Sequence, residues 1–238
     1  MLIPRQIFFN RRRLVPLAAA AALVLAFIFW LGRLFSGTAQ ADQEKIFITA
    51  LDNTLASRSF RFAVETKLLG EHEFYSKLEG ERVLPDKVHI KGTVLQTPVE
   101  FTQVQDNTYM KDPFSGKWLM LKDIKMSQTE LFFAELNPLA YFNFKDIPQL
   151  VLQGEEKAAG YKCLVFELKP NLENIFLEDQ FNDYTYQVWV DKQDLVIRQA
   201  LIRANRADTG SRGLEMSIKL WDYNRQLQVE VPEEIRPN

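Results

Sequence analysis

The sequence predicts an α+β protein: a strongly curved antiparallel β-sheet of about ten or eleven strands, an unclosed barrel plugged by short helices and preceded by an N-terminal transmembrane helix. Three observations predict it. An unbroken apolar run fills Leu14–Leu31. Helical spacing follows it for one short stretch only. From Phe60 onward the apolar residues recur with a period of two, punctuated by turn residues, for most of the remaining chain.

The apolar run comes first. Its 18 residues, followed by Gly32, Arg33, Leu34 and Phe35, are long enough to cross a hydrocarbon core of about 30 Å as a helix. Pro16 sits near the start, where a helix tolerates it. Trp30 and Arg33 suit the far interface, one as an interfacial aromatic and the other by snorkelling. Arg11, Arg12 and Arg13 precede the run and keep that end on the cytoplasmic side. The expected organisation is therefore a basic cytoplasmic tail over 1–13, an anchor over 14–35, a linker over 36–42 and an extracytoplasmic domain over 43–238. A cleaved signal peptide is the competing reading, because Ala39-Gln40-Ala41 has the small-x-small form of a cleavage site. Both readings export the domain. No cysteine follows the run that could carry a lipid, and Cys163 is the only thiol of the chain, so no internal disulfide staples the domain.

Charge narrows the partners. Residues 1–35 hold five arginines and no acid, whereas the other 203 carry 24 basic and 31 acidic side chains. A domain with that acidic excess does not suit nucleic acid, which demands clustered cations.

Along the domain, Ile46, Phe47, Ala50, Leu51, Thr54 and Leu55 recur at helical spacing and predict an amphipathic helix over about 42–57. Phe60, Phe62, Val64, Thr66 and Leu68 then alternate with polar residues as a half-buried strand. Further strands are predicted at 72–83, around Val88, Ile90 and Val94, around Val99 and Phe101, and at 108–111 and 118–121. The last two flank the turn-rich Asp112-Pro113-Phe114-Ser115-Gly116. Two helical inserts interrupt the series, at 131–144, split by Pro138, and at 171–181. Strand periodicity returns at 149–156, 160–169, 183–191, 195–206 and 213–223. The connections are too short for crossover helices, so the sheet is antiparallel. A sheet of ten or more strands must twist and curl.

Three segments carry a resemblance. Val104–Pro113 leading to Gly116-Lys117-Trp118, the stretch Gly160–Leu168, and Val188–Arg198 with its apolar–Asp–x–x–x–apolar–x–apolar hairpin are similar to segments of the LolA-like lipoprotein-carrier superfamily, including the LppX/LprG-type lipid-binding lipoproteins. The resemblance spans roughly 43–225. It implies an N-terminal helix on a curved, unclosed antiparallel sheet plugged by helices, and an apolar cavity for a lipid, a glycolipid or a lipidated protein. It departs from the lipoprotein subgroup in lacking an attachment cysteine. Related domains also serve as envelope sensors, so another envelope protein is the alternative partner, with a filled core.

Chemistry was sought residue by residue. His72 and His89 lie in predicted strands with no acid or thiol cluster to complete a metal shell. There is no nucleophile elbow and no phosphate-binding glycine loop. Glu178, Asp179 and Asp183 lack the spacing of a calcium loop, and Cys163 sits among apolar neighbours as a small hydrophobe. The sequence therefore predicts no enzyme, no metal and no cofactor. It points instead to the aromatic excess of the inserts and the inward strand positions. The expected lipid-contacting set is Phe60, Phe62, Val64, Leu68, Phe74, Val88, Ile90, Val99 and Phe101 on the early strands. Leu131, Phe132, Phe133, Leu136, Phe142 and Phe176 are expected on the inserts, and Val165, Trp189, Ile197 and Trp221 on the late strands.

Overall fold

The computed structural model describes residues 41–70, 73–121, 137–172 and 180–235. The chain divides into two compact units, Met1–Lys45 and Ile46–Asn238, and the architecture is that of the second. The expected anchor, 14–35, lies outside the described residues, as do His72, Leu131, Phe132, Phe133, Leu136 and Phe176.

Helix α1 (residues 41–55) opens the domain. Phe47, Ala50, Leu51 and Thr54 are buried on it, at the i, i+3, i+4, i+7 spacing that lines up one stripe. Eleven strands follow: β1 (Ser59–Leu68), β2 (Phe74–Val83), β3 (Lys87–Val94), β4 (Thr97–Val104), β5 (Asn107–Lys111), β6 (Trp118–Leu121), β7 (Phe144–Ala158), β8 (Tyr161–Leu172), β9 (Phe181–Asp191), β10 (Ile197–Arg206) and β11 (Arg212–Trp221). They form one sheet in the order β6-β5-β4-β3-β2-β1-β11-β10-β9-β8-β7. Every pairing is antiparallel. Two meanders are thus joined in the middle by β1 and β11, and β6 and β7 remain as free edges, so the barrel is unclosed.

The register shows which side chains share a face. Phe62 stands opposite Leu220 and Gly80, Gly80 opposite Ile90, and Ile90 opposite Phe101. On the other wing Phe166 pairs with Val188, which faces Ala200 and then Ile218. These apolar residues belong to one buried cluster with Phe47, Ala50 and Leu51 of α1. A flat sheet of eleven strands is about 50 Å wide, whereas a helix with its side chains is about 10 Å across. One helix cannot cover such a face. Burial on strands as far apart as β4 and β8 requires the sheet to curl around its apolar side, which we call the concave face.

Two glycines permit the curl. Gly80 and Gly92 both fall on the concave face of β2 and β3. A Cβ at Gly80 would lie 2.4 Å from the His89 carbonyl oxygen and 2.8 Å from Phe62 Cζ; one at Gly92 would lie 2.1 Å from the Lys77 carbonyl oxygen. Only the absence of a side chain lets the backbones approach so closely.

Helix α1 is fastened to the β9–β10 turn by polar bonds at its C-terminal end. The Ile197 N–H donates to Thr54 Oγ1 at 2.8 Å, and Asn53 Nδ2 donates to the Leu195 carbonyl at 2.9 Å. Thr54 in turn donates to the Ala50 carbonyl, so this buried hydroxyl is satisfied in both roles. After β11 the chain doubles back across β1, where Asn224 N–H donates to the Ser59 carbonyl and Ser59 Oγ to that of Arg225.

Several expectations are corrected. The second insert does not begin at 171 or end at 181, because Asn171 and Leu172 close β8 and Phe181 opens β9. Of the first insert, the described part is a five-residue 3-10 helix, Pro138–Phe142, with Pro138 at its start and Phe144 already in β7. Val165, Trp189 and Trp221 do not face the concave side. Val165 and Trp189 form a separate cluster with Ala158 and Cys163 on the opposite face. Trp221 is half-buried and out of phase with Leu214, Met216, Ile218 and Leu220, which do face the core. The period of two allows no exception here, since adjacent strand residues point to opposite faces.

Replacing Gly80 by alanine should destabilise the domain by about 1–3 kcal/mol, the usual cost of forcing a core to shift. Chemical denaturation would register this as a lower midpoint, and an unchanged midpoint would refute the close approach as a constraint.

Candidate functional site

The concave face is filled unevenly. Over β8–β11 it is closely occupied. The Phe47 ring meets Phe166 edge-on at 5.4 Å between centroids, and Phe144 meets Tyr186 at 5.3 Å and Phe142 at 6.3 Å. The T-shaped geometry suits aromatic quadrupoles. Tyr186 is fully buried, and its hydroxyl donates to the Tyr141 carbonyl at 3.1 Å. Burial pushes this phenol well above its ordinary pKa, so it stays protonated and keeps donating. The 3-10 helix is thereby pinned onto β9.

Across the other wing the described residues supply less cover. Phe62, Gly80, Ile90, Phe101, Met110 and Leu119 form one transverse row from β1 to β6. Phe62, Ile90 and Phe101 are buried, whereas Met110 is 39% and Leu119 is 48% exposed. Val94 and Val99 lie on the same face, half-buried against the core. The row thus passes from a packed interior to an apolar surface open to solvent. Ser76, Gln103 and Thr108 are buried polar residues of the same face, and Thr66 Oγ1 is buried there with no hydrogen-bond partner among the described residues. Such a hydroxyl is a standing cost unless something bonds it.

A separate hollow of about 450 Å³ opens between the ends of β7, β8 and β9. Lys169, Asn171 and Asp183 contribute polar groups to its wall, and Pro148, Phe181 and Tyr184 contribute apolar ones.

Of the expected set, Phe60, Phe62, Val64, Val88, Ile90, Phe101, Phe142 and Ile197 lie in the buried cluster, and Leu68 and Val99 pack partly exposed against it. Phe74 is half-buried opposite Leu68. The structure also brings Phe166, Tyr186, Val188, Met216 and Ile218 to this face, none of which was in that set. Their signal was present: Tyr184, Tyr186, Val188 and Val190 alternate without a break, as do Leu214, Met216, Ile218 and Leu220.

The remaining chemistry-bearing groups have structural partners. His89 pairs with Glu100 at 3.3 Å, and Lys111 reaches the other oxygen of that carboxylate at 3.2 Å. Cys163 is buried, and its thiol is pushed up by burial and by the Asp191 charge, the opposite of an activated nucleophile. Among the described residues no group of three or more His, Cys, Asp or Glu could hold a metal ion. The Asp191 hairpin is an internal brace. Asp191 Oδ1 accepts the Gln193 and Asp194 N–H groups of the turn, and Oδ2 accepts from Arg198 Nε at 2.9 Å. The Arg198 guanidinium also bonds Asp194 and lies 3.8 Å from the Tyr161 ring centroid. Arg198 is the extra residue of a β-bulge, skipped between Ile197 and Gln199 in the pairing with β9. The bulge turns its side chain toward Asp191.

With this geometry in place, comparison with solved structures is informative. Lipoprotein LppX from Mycobacterium tuberculosis superposes with a TM-score of 0.53 at 16% identity, covering 78% of this chain and 97% of LppX. LprF from Mycobacterium bovis gives 0.57 at 11% identity, covering 81% and 97%. The fold shared with these two is LolA-like. A LolA-superfamily protein from Nitrosomonas europaea is matched at a TM-score of 0.33 and 11% identity. No family model and no curated protein sequence matches the chain. At these identities the likeness concerns the LolA-like fold alone, whose concave face is here the partly open row ending at Met110 and Leu119.

Burial by itself raises the Asp191 carboxyl, but the turn N–H groups and Arg198 outweigh it and hold the group below its ordinary 3.8. A depressed folded-state pKa means that the brace contributes fully above about pH 4 and is lost as the pH falls through the folded value. Arg198→Met, which strands a buried carboxylate, should cost about 3–5 kcal/mol at neutral pH. The gap from wild type should narrow on acidification, because the variant's Asp191, without Arg198 to hold its charge, is the first to be neutralised. Urea titrations at pH 7 and pH 3 would show it; a pH-independent gap would rule the charge pair out as the cause.

Proposed function

We propose that the chain is a membrane-anchored extracytoplasmic domain that binds the acyl part of a lipid or lipidated molecule on its concave face, at the outer surface of the cytoplasmic membrane. The observation that carries the reading is the transverse row from Phe62 to Leu119, in which a buried apolar surface continues into an uncovered one. An acyl chain laid along Val99, Met110 and Leu119 would extend the core, with about 0.8 kcal/mol for each methylene buried. Thr66, with its unpartnered hydroxyl, offers a bond to a polar atom of such a ligand. The LolA-like fold of LppX and LprF is consistent with this reading.

The location rests on sequence. The apolar stretch Leu14–Leu31, with Arg11–Arg13 before it, supports a single-pass anchor with the N-terminus inside. A linker over 36–42 then keeps the domain within roughly 25 Å of the bilayer, so that it takes or senses a lipid-linked molecule locally. If Ala39-Gln40-Ala41 is cleaved, a diffusing carrier is the better description.

The test is extraction of the detergent-purified full chain with organic solvent, followed by mass spectrometry against a control membrane protein. A defined lipid class should be enriched in the wild type. It should fall by on the order of tenfold in a Met110→Asp/Leu119→Asp variant, which puts charge on the open surface while sparing the buried core. Equal lipid in variant and wild type would remove the concave wing from the binding site.

A further inference from the structure

We propose that the end of the sheet carrying the β3–β4 and β5–β6 connections is a bilayer-contacting surface, with Leu95 and Phe114 as its inserting tips. This deepens the reading of a membrane-facing domain and rests on that placement.

In an antiparallel meander alternate connections emerge at the same end. The β1–β2, β3–β4 and β5–β6 connections therefore share one end, and the β2–β3 and β4–β5 turns the other. At the first end Phe114 is 95% exposed and Leu95 57% exposed. Single exposed apolar residues are ordinary on protein surfaces. These two differ in how they are held. Leu95 and Gln96 are the only residues between β3 and β4, and both have left-handed φ, 48° and 68°. Such two-residue turns favour Asn-Gly, since a branched side chain at positive φ is strained. A leucine kept there is 57% exposed, so it buries less than half of its surface in the fold. Its N–H is fixed by the Tyr75 carbonyl at 2.9 Å, so the tip is positioned rather than loose.

The Phe114 loop is equally built. Asp112 Oδ1 accepts the Phe114 and Ser115 N–H groups at 2.8 Å each, and the Gly116 N–H donates to the Asp112 carbonyl. Gly116 takes the left-handed conformation that closes the loop. The phenyl ring thus projects from a turn whose backbone N–H groups are satisfied internally, which lowers the cost of entering an interface. At the base, Lys111 Nζ lies 5.5 Å from the Trp118 ring centroid, and Lys117 is exposed beside it. Tryptophan and lysine flanking an inserted apolar residue match the headgroup layer, where an amphipathic ring and a cation are both favoured.

The direction of α1 agrees. Phe47 packs on Phe166 in the middle of β8, while Asn53 and Thr54 bond the turn at the opposite end of the sheet. From Thr54 back to Phe47 the helix therefore runs toward the Leu95–Phe114 end. Leu84, a less exposed apolar residue at 40%, belongs to the far end and serves as an internal control.

The full chain is reconstituted into vesicles of mixed phosphatidylcholine and phosphatidylglycerol. An environment-sensitive nitrobenzoxadiazole label is placed at Gln96→Cys, Ser115→Cys or Leu84→Cys; buried Cys163 does not compete for it. Labels at 96 and 115 should shift to the blue and be quenched by spin-labelled lipid on the order of threefold more than at 84. Adding Leu95→Asp and Phe114→Asp should abolish that difference. Equal quenching at all three positions, or none at 96 and 115, overturns the proposal. A blue shift without lipid quenching also overturns it, since it reports contact with another protein. Carbonate-resistant association with the vesicles reports the anchor separately. A chain that yields extractable lipid but no quenching loses this inference alone, and the converse result loses only the concave-face reading.

Discussion

An open sheet of eleven strands with one apolar face has more surface to bury than a helix of about four turns can cover, and the rest of the structure follows from how that surface is disposed of. The sheet curls, so its own strands face one another across the core. The curl needs Gly80 and Gly92 where the backbones of β1, β2 and β3 come closest. It needs α1 and the Pro138–Phe142 turn as filling between the wings. It also leaves two edges, because β6 and β7 do not meet. The exposed edge strand β7 is broken by three register shifts and carries Pro148, devices that blunt pairing with a foreign strand.

The opposite face is held by different means. There the apolar cluster is small, with Val165, Trp189, Cys163 and Ala158, and polar bonds do more of the work. Trp189 Nε1 donates to Glu156 at 2.9 Å, and Arg198 is enclosed by Asp191, Asp194 and the ring of Tyr161. Each of these groups is satisfied by a neighbour within the same hairpin or the next. The part of the domain left incomplete is apolar: the concave wing at Met110 and Leu119, and the tips at Leu95 and Phe114. Both are exposed apolar surface, the kind of surface on which interaction sites occur.

Much of this was legible in the chain. The alternation Phe60, Phe62, Val64, Thr66, Leu68 named an inner face that the structure keeps residue for residue, as did Val88, Ile90 and Phe101. Short turn-rich connections implied antiparallel pairing, and the strand number implied an open, curled sheet. Where the reading differs from the structure, it differs in phase: Trp189 and Trp221 are expected on the inner face, whereas their neighbours Val188, Val190 and Leu220 are the ones in register.

What the sequence by itself determined was periodicity: one helix, then strands with a polar and an apolar side, because the period-two alternation of apolar and polar residues is a property of consecutive residues. What only the tertiary structure decided was distance. That β1 pairs with β11, that Thr54 bonds the backbone of Ile197, and that one transverse row starts buried at Phe62 and ends exposed at Leu119 all join residues far apart in the chain. No local pattern encodes how completely a curled sheet covers itself, since that depends on where its two edges come to rest.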